Sequence, residues 1–218
     1  MWHVLFNYCA NIVCTLLCLF LVRIFIVYQR IHKPMKIMPR ANSNPAKLMV
    51  VLGSGGHTFE MLHLLKHIGP KFRPRIYIIA DSDILSEKKV LSLETMPVTD
   101  AYTIEKIPRS REVGQSWISS VMTTFVSFLK CLQLVFKHKP DAILNNGPGT
   151  CVPVCVAAFL SHVLGVKHIK IIYVESICRV KTMSLSGKIL YPIADYFLVQ
   201  WPQLKEKYPR SRYLGKLM

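Results

Sequence analysis

Six apolar runs recur after residue 47: LMVVLG, RIYIIA, AYTIEKI, DAILNN, HIKIIYV and DYFLVQ. Most are separated by segments of helical period or length. A strand that is apolar on both faces must be covered on both, and strands joined through helices lie parallel. The alternation therefore predicts an α/β domain, a single Rossmann-like parallel sheet with helices on its faces. A chain of 218 residues with 51% hydrophobic content supplies one such domain and an appendage, not two full domains.

The appendage is N-terminal. VLFNYCANIVCTLLCLFLV, from Val4 to Val22, carries no charge, and apolar character resumes after Arg23 through IFIVY. That length spans the hydrocarbon core of a bilayer. The stretch lacks the basic start and small-residue cleavage site of a signal peptide, so a retained anchor is expected. Arg23, Arg30, Lys33, Lys36 and Arg40 follow it, whereas only His3 and the α-amino group precede it. The positive-inside rule then puts the body in the cytosol and the short N-terminus in the lumen. The expected division is an anchor over residues 1–30 (span about 4–27), a basic linker over 31–46 marked by Pro34, Pro39 and Pro45, and a cytosolic domain over 47–218. The segment WISSVMTTFVSFLKCLQLVFK is apolar enough for a second span, but Lys130 and its hydroxyl groups favour a helix buried against the sheet, with a membrane-surface helix as the second choice.

Lys and Arg outnumber Asp and Glu by 28 to 12, a net charge of +16 that suits an anionic partner such as lipid headgroups, nucleic acid or pyrophosphate. No nucleic-acid-binding module is legible and the basic residues are scattered, which sets nucleic acid aside. Seven cysteines, an odd number without a C-x-x-C pair, suggest a reducing compartment, and none is assigned as a nucleophile. The histidines share no ligand spacing with acidic residues or cysteines, so no metal site is expected.

Ligands of open parallel sheets bind beyond the carboxyl ends of the strands. The first run ends there in GSGGHT, which brings Gly53, Ser54, Gly55, Gly56, His57 and Thr58. Glycines at this place permit positive φ and let amides converge on an anion at the positive end of a helix, or else simply make a tight turn. The fourth run ends in NNGPGTCVP, with Asn146, Gly147, Gly149 and Thr150, a second such cradle in which Thr150 is the expected helix cap. Recurrence at equivalent strand ends favours phosphate. Arg109 and Arg111 in IPRSREV are forks suited to pyrophosphate or plain surface charges. His57 suits a general base, a phosphate donor or a cap. Glu175 is expected at a strand tip, accepting from sugar hydroxyls or engaged in an ion pair. A nicotinamide dehydrogenase fits poorly, because Thr58 stands where the third glycine of G-x-G-x-x-G is required.

Taken in order, GSGGHT, IPRSREV, NGPGTCVP, YVESICRV, SGKIL, VQWP and YLGKLM make the chain from about Leu48 onward resemble the asparagine-linked glycosylation protein 14 family, the membrane-anchoring subunits of a bipartite UDP-N-acetylglucosamine transferase. The resemblance implies the N-terminal, acceptor-side half of a GT-B glycosyltransferase, related to the bacterial enzyme that builds the peptidoglycan precursor. It also implies a soluble catalytic subunit, the asparagine-linked glycosylation protein 13 homologue, which binds the donor UDP-N-acetylglucosamine and is recruited to the endoplasmic reticulum membrane or the nuclear envelope. Dolichyl-pyrophosphate-N-acetylglucosamine is the implied acceptor, transfer is inverting, and neither cofactor nor metal is implied. Neither subunit is expected to be active alone.

Under this resemblance the two glycine loops with Arg109 and Arg111 hold the acceptor pyrophosphate, His57 is the base or a phosphate ligand, and Glu175 orients sugar. Tyr213, Leu214, Leu217 and Met218 dock on the partner, and membrane lipids surround the anchor. A membrane scaffold without a substrate site is the rival reading.

Overall fold

In the computed structural model the described residues are 2–33, 45–94, 102–110 and 114–217. Its strands are β1 (Leu48–Val51), β2 (Arg75–Ala80), β3 (Tyr102–Ile107), β4 (Ala142–Asn145), β5 (Lys170–Val174), β6 (Tyr196–Val199) and β7 (Arg212–Tyr213). All pair in parallel, in the order β3-β2-β1-β4-β5-β6-β7. The first six are the six apolar runs. The seventh, which pairs Arg212 and Tyr213 with Leu198 and Val199, is too short to carry a periodicity of its own.

The helices are α1 (Trp2–His32), α2 (Gly56–Lys66), α3 (Ile84–Leu93), α4 (Trp117–His138), α5 (Cys151–Val163), α6 (Leu185–Leu190) and α7 (Pro202–Lys207). Successive strand residues point to opposite faces, and the core divides accordingly. Met49, Val51, Ile76 and Ile78 pack with Leu134 of α4, Val154 of α5 and Leu190 of α6. Leu48, Val50, Tyr77 and Ile79 pack with Met61 and Leu65 of α2 and Val90 of α3. From β1 the chain adds strands outward in one direction to β3, then returns to β4 on the other side of β1. The loops after β1 and β4 therefore diverge at the sheet's switch point and leave a crevice between them.

The segment Phe6–His32 is long and apolar enough to cross a membrane, with a mean hydropathy of 2.5. The helix continues through His32, and its last turns are not detached from the body. Val27 and Ile31 are buried with Val163 of α5. Arg23 Nε donates to the Val163 carbonyl at 3.0 Å, and His32 Nε2 meets the guanidinium of Arg210. Most of the expected linker, residues 34–44, lies outside the described residues.

Ile118–His138 also has the length and composition of a span, with a mean hydropathy of 1.5. Burial divides α4 into two halves. Cys131, Leu134 and Val135 are buried against the sheet, whereas Ile118, Val121, Met122, Phe125, Val126 and Leu129 form an exposed row at helical spacing.

Candidate functional site

A cleft of 680 Å³ opens at the carboxyl ends of the central strands. Gly53, Ser54 and His57 reach it from the loop after β1 and the first turn of α2. Gly147, Gly149 and Thr150 reach it from the loop after β4, and Arg109 and Ser110 from the loop after β3. Arg179, beyond β5, also lines it, as do Asp83 and the hydroxyl residues Ser120, Thr124, Ser184 and Ser186. Val121 of α4 and Leu185 and Ile189 of α6 supply an apolar wall. The cleft thus has glycine loops, two arginines and the carboxyl group of Asp83 in its polar lining and is apolar at one side.

The β1 loop is shaped for close approach. Gly55 has φ 65° and caps α2 without a side-chain hydrogen bond, so no capping side chain satisfies the first amides of that helix. By contrast α3, α4 and α6 are capped by the side chains of Asp83, Ser116 and Ser184. Gly53 is crowded, since a Cβ there would lie 2.6 Å from Pro148 Cβ, so side chains at this position are barred by the other glycine loop. Thr150 occupies the cap position of α5 but makes no side-chain cap bond, which corrects its expected role as a cap while leaving it on the cleft.

His57 sits over Gly147, and its Nδ1 is buried without a hydrogen-bond partner among the described residues. Burial pushes its pKa below the ordinary 6.5; the charge of Glu60 opposes that shift and that of Arg179 adds to it. A neutral imidazole at physiological pH can accept a proton. Arg109 Nε donates to Ser82 Oγ at 3.0 Å, which holds the guanidinium at the cleft rim. Arg179 is exposed, and among the described residues no partner engages its guanidinium. It lies in YVESICRV, and its only sequence signal is a position four residues past Glu175 at a strand end.

Several expected site residues lie elsewhere. Gly55 and Gly56 shape the turn without lining the cleft. Thr58 is fully buried, with its hydroxyl on the Gly53 carbonyl and 2.7 Å from Ser86 Oγ, so it closes the loop from behind and does not touch a ligand. Asn146 is also fully buried, donating from Nδ2 to Glu60 Oε2 at 2.9 Å.

Glu175 is buried as well. Its carboxylate accepts from the Ser176 and Ser184 amides at 3.2 and 3.1 Å, and Gly187 lies so close that a Cβ there would be 2.4 Å from Oε2. Burial raises its pKa, while the bonds from Ser184 and Ser176 pull it down. It fastens the start of α6 and does not face the cleft. The carboxylate beside His57 is Glu60, which sequence reasoning passed over because a glutamate in a helix ordinarily faces solvent. Arg111 and Met218 lie outside the described residues. At the tail Tyr213 and Leu214 are exposed, while Leu217 packs on the core face that carries α2 and its amide donates to Gln200 Oε1 at 3.1 Å.

Residues 48–217 match the family model described as oligosaccharide biosynthesis protein Alg14 like. The chain is 50% identical over 206 residues to a UDP-N-acetylglucosamine transferase subunit ALG14 of Mus musculus, covering 89% of this chain and 94% of the relative. It is 48% identical over 205 residues to the Homo sapiens protein of the same name, covering 91% and 92%.

Among solved structures it is similar to Acinetobacter baumannii MurG, with a TM-score of 0.56 at 15% identity, over 79% of this chain and 45% of that one. A UDP-N-acetylglucosamine 2-epimerase from Rickettsia bellii gives a TM-score of 0.53 at 15% identity, over 80% and 46%. The fold is therefore that of one half of GT-B enzymes, and the chain spans just under half the length of these solved neighbours.

Proposed function

The chain belongs to the Alg14-like family of oligosaccharide biosynthesis proteins, and from that premise we propose that it is the membrane-anchored, acceptor-binding subunit of a UDP-N-acetylglucosamine transferase of N-linked glycosylation. The observation that carries this reading is the convergence of two glycine loops, Arg109, Arg179 and His57 on one cleft at the switch point of a sheet that corresponds to half of a two-domain enzyme. A pure scaffold has no use for such a cleft.

The acceptor is dolichyl-pyrophosphate-N-acetylglucosamine. Its pyrophosphate lies on the β1 and β4 loops, where helix amides and the guanidinium groups of Arg109 and Arg179 neutralise it. The 4-hydroxyl of its sugar attacks the anomeric carbon of UDP-N-acetylglucosamine with inversion. His57 takes the hydroxyl proton as the new C–O bond forms, and UDP leaves with the electron pair of the bond that breaks. The donor is bound mainly by a soluble catalytic subunit, the asparagine-linked glycosylation protein 13 homologue, which this chain recruits to the cytosolic face of the endoplasmic reticulum. The exposed apolar row of α4 rests on the lipid surface, as α1 and α4 both pack on α5.

Direct binding tests the reading. The full chain in nanodiscs, without partner, should bind the dolichyl acceptor, and Arg179→Gln should weaken that binding about 10- to 100-fold, the worth of a charged hydrogen bond. Absence of binding by the unaltered chain would favour the scaffold.

A further inference from the structure

We propose that Glu60 is a positioning residue for the transfer step, fixing the orientation and tautomer of His57 while tying the loops after β4 and β5 to the helix that carries the base. This inference rests on the reading of His57 as the base.

His57 and Glu60 are three residues apart on α2 and share one of its faces. Glu60 is only 7% exposed. Its Oε1 accepts from Ser176 Oγ at 2.8 Å, its Oε2 accepts from Asn146 Nδ2 at 2.9 Å, and Oε2 lies 3.9 Å from His57 Nδ1. Ser176 follows β5 and Asn146 follows β4, so one carboxylate joins three strand-end segments. The imidazole has little room to retreat, because Gly147 lies against Cε1.

A carboxylate offers about four lone-pair sites, and these two bonds leave Oε2 with capacity near a buried Nδ1 that has no hydrogen-bond partner among the described residues. The 3.9 Å separation exceeds a hydrogen bond, and a small turn of the ring closes it. Catalytic hydrogen bonds are commonly long in unliganded sites and tighten in the substrate complex. Once Nδ1 donates to Glu60, Nε2 is the proton-free nitrogen and can take the acceptor proton.

The charge of Glu60 points the same way. Its two hydrogen-bond donors are neutral, and an amide in its place would accept from Asn146 Nδ2 and donate to a turned Ser176 Oγ at a smaller desolvation cost. A buried carboxylate gains most over an amide when a positive charge forms beside it, as happens when His57 becomes an imidazolium. The charged groups acting on the ring are Glu60 from its own helix and Arg179 from beyond β5.

The test uses the full chain with its soluble partner in reconstituted membranes. Glu60→Gln should lower kcat about 10- to 100-fold, with the acceptor KM within about threefold, as expected for a misaligned base. The acid limb of kcat/KM should move to lower pH, because the charge that raises the pKa of His57 is gone. Carbethoxylation of the His57 peptide by diethyl pyrocarbonate, followed against pH by mass spectrometry, should shift in the same direction and does not depend on transfer. Ser176→Ala, which frees Oε1, should give a smaller loss and serves in place of Glu60→Gln if that variant does not fold.

Unchanged kcat and unchanged pH profiles in these variants, with His57→Ala inactive, would overturn the positioning role alone. Full activity of His57→Ala would overturn the base reading instead, and an unmoved carbethoxylation profile would then also remove Glu60 from control of the imidazole.

Discussion

The imidazole of His57 lies against the α-carbon of Gly147: a Cβ at Gly147 would fall 2.5 Å from His57 Cε1. Gly147 also has φ 67°, a region that costs other residues about 1–2 kcal/mol. Gly147→Ala should therefore destabilise the chain by at least that amount and displace the imidazole, reducing transfer more than stability. Gly56→Ala is the contrasting case, since among the described residues beyond its own helix and chain neighbours nothing lies within 4 Å of where its Cβ would stand, and it opens a helix. It should be neutral or stabilising by up to about 1 kcal/mol. Thermal melting and transfer rates measured on both variants check the pair.

His57 also sets a pH dependence. Its pKa in the folded chain lies below the ordinary 6.5, chiefly through burial, so the neutral imidazole persists to lower pH than a free histidine would allow. The acid limb of kcat/KM should thus fall below pH 6.5, and His57→Ala should reduce transfer by about 10²-fold or more. Arg179→Gln removes a charge that lowers this pKa, so the limb should move upward, opposite to the shift expected for Glu60→Gln. A pH–rate profile of the three variants measures all of these directions.

Much of this architecture was legible in the sequence, for reasons that can be named. Runs such as RIYIIA become strands buried along their whole length, and glycines at their ends become the switch-point loops. The polar side chains were harder. Glu175 follows Val174 directly, and only the return of α6 against it shows that its carboxylate faces Ser184 and not a ligand. Glu60 looks like a solvated helix residue until the loops after β4 and β5 fold over it. The apolar residues of α4 read uniformly in sequence, whereas burial changes along the helix, from exposed Ile118 to buried Leu134.

The last turns of α1 bear on truncation. Removing residues 1–40 takes away Val27 and Ile31, whose burial on α5 is worth about 2–4 kcal/mol after allowance for a compact unfolded state. Removing residues 1–22 alone spares them together with Arg23. The longer truncate should melt at a distinctly lower temperature than the shorter one. Equal melting temperatures would show that α1 contributes nothing to the body.

Tail residues divide by exposure. Tyr213 and Leu214 are 42% and 64% exposed, so replacing both by Ser should leave the fold intact and weaken recovery of the soluble partner about tenfold or more. Replacing Leu217, which packs on this chain's own core, should lower stability first. Co-precipitation at limiting partner concentration, read beside melting curves, separates the two effects.

The division of labour between two chains is tested most directly by a reconstituted transfer assay with UDP-N-acetylglucosamine and dolichyl-pyrophosphate-N-acetylglucosamine. Transfer should require both this chain and the soluble subunit, and should fall sharply when His57→Ala replaces the native chain. Undiminished transfer by either subunit alone would contradict the account.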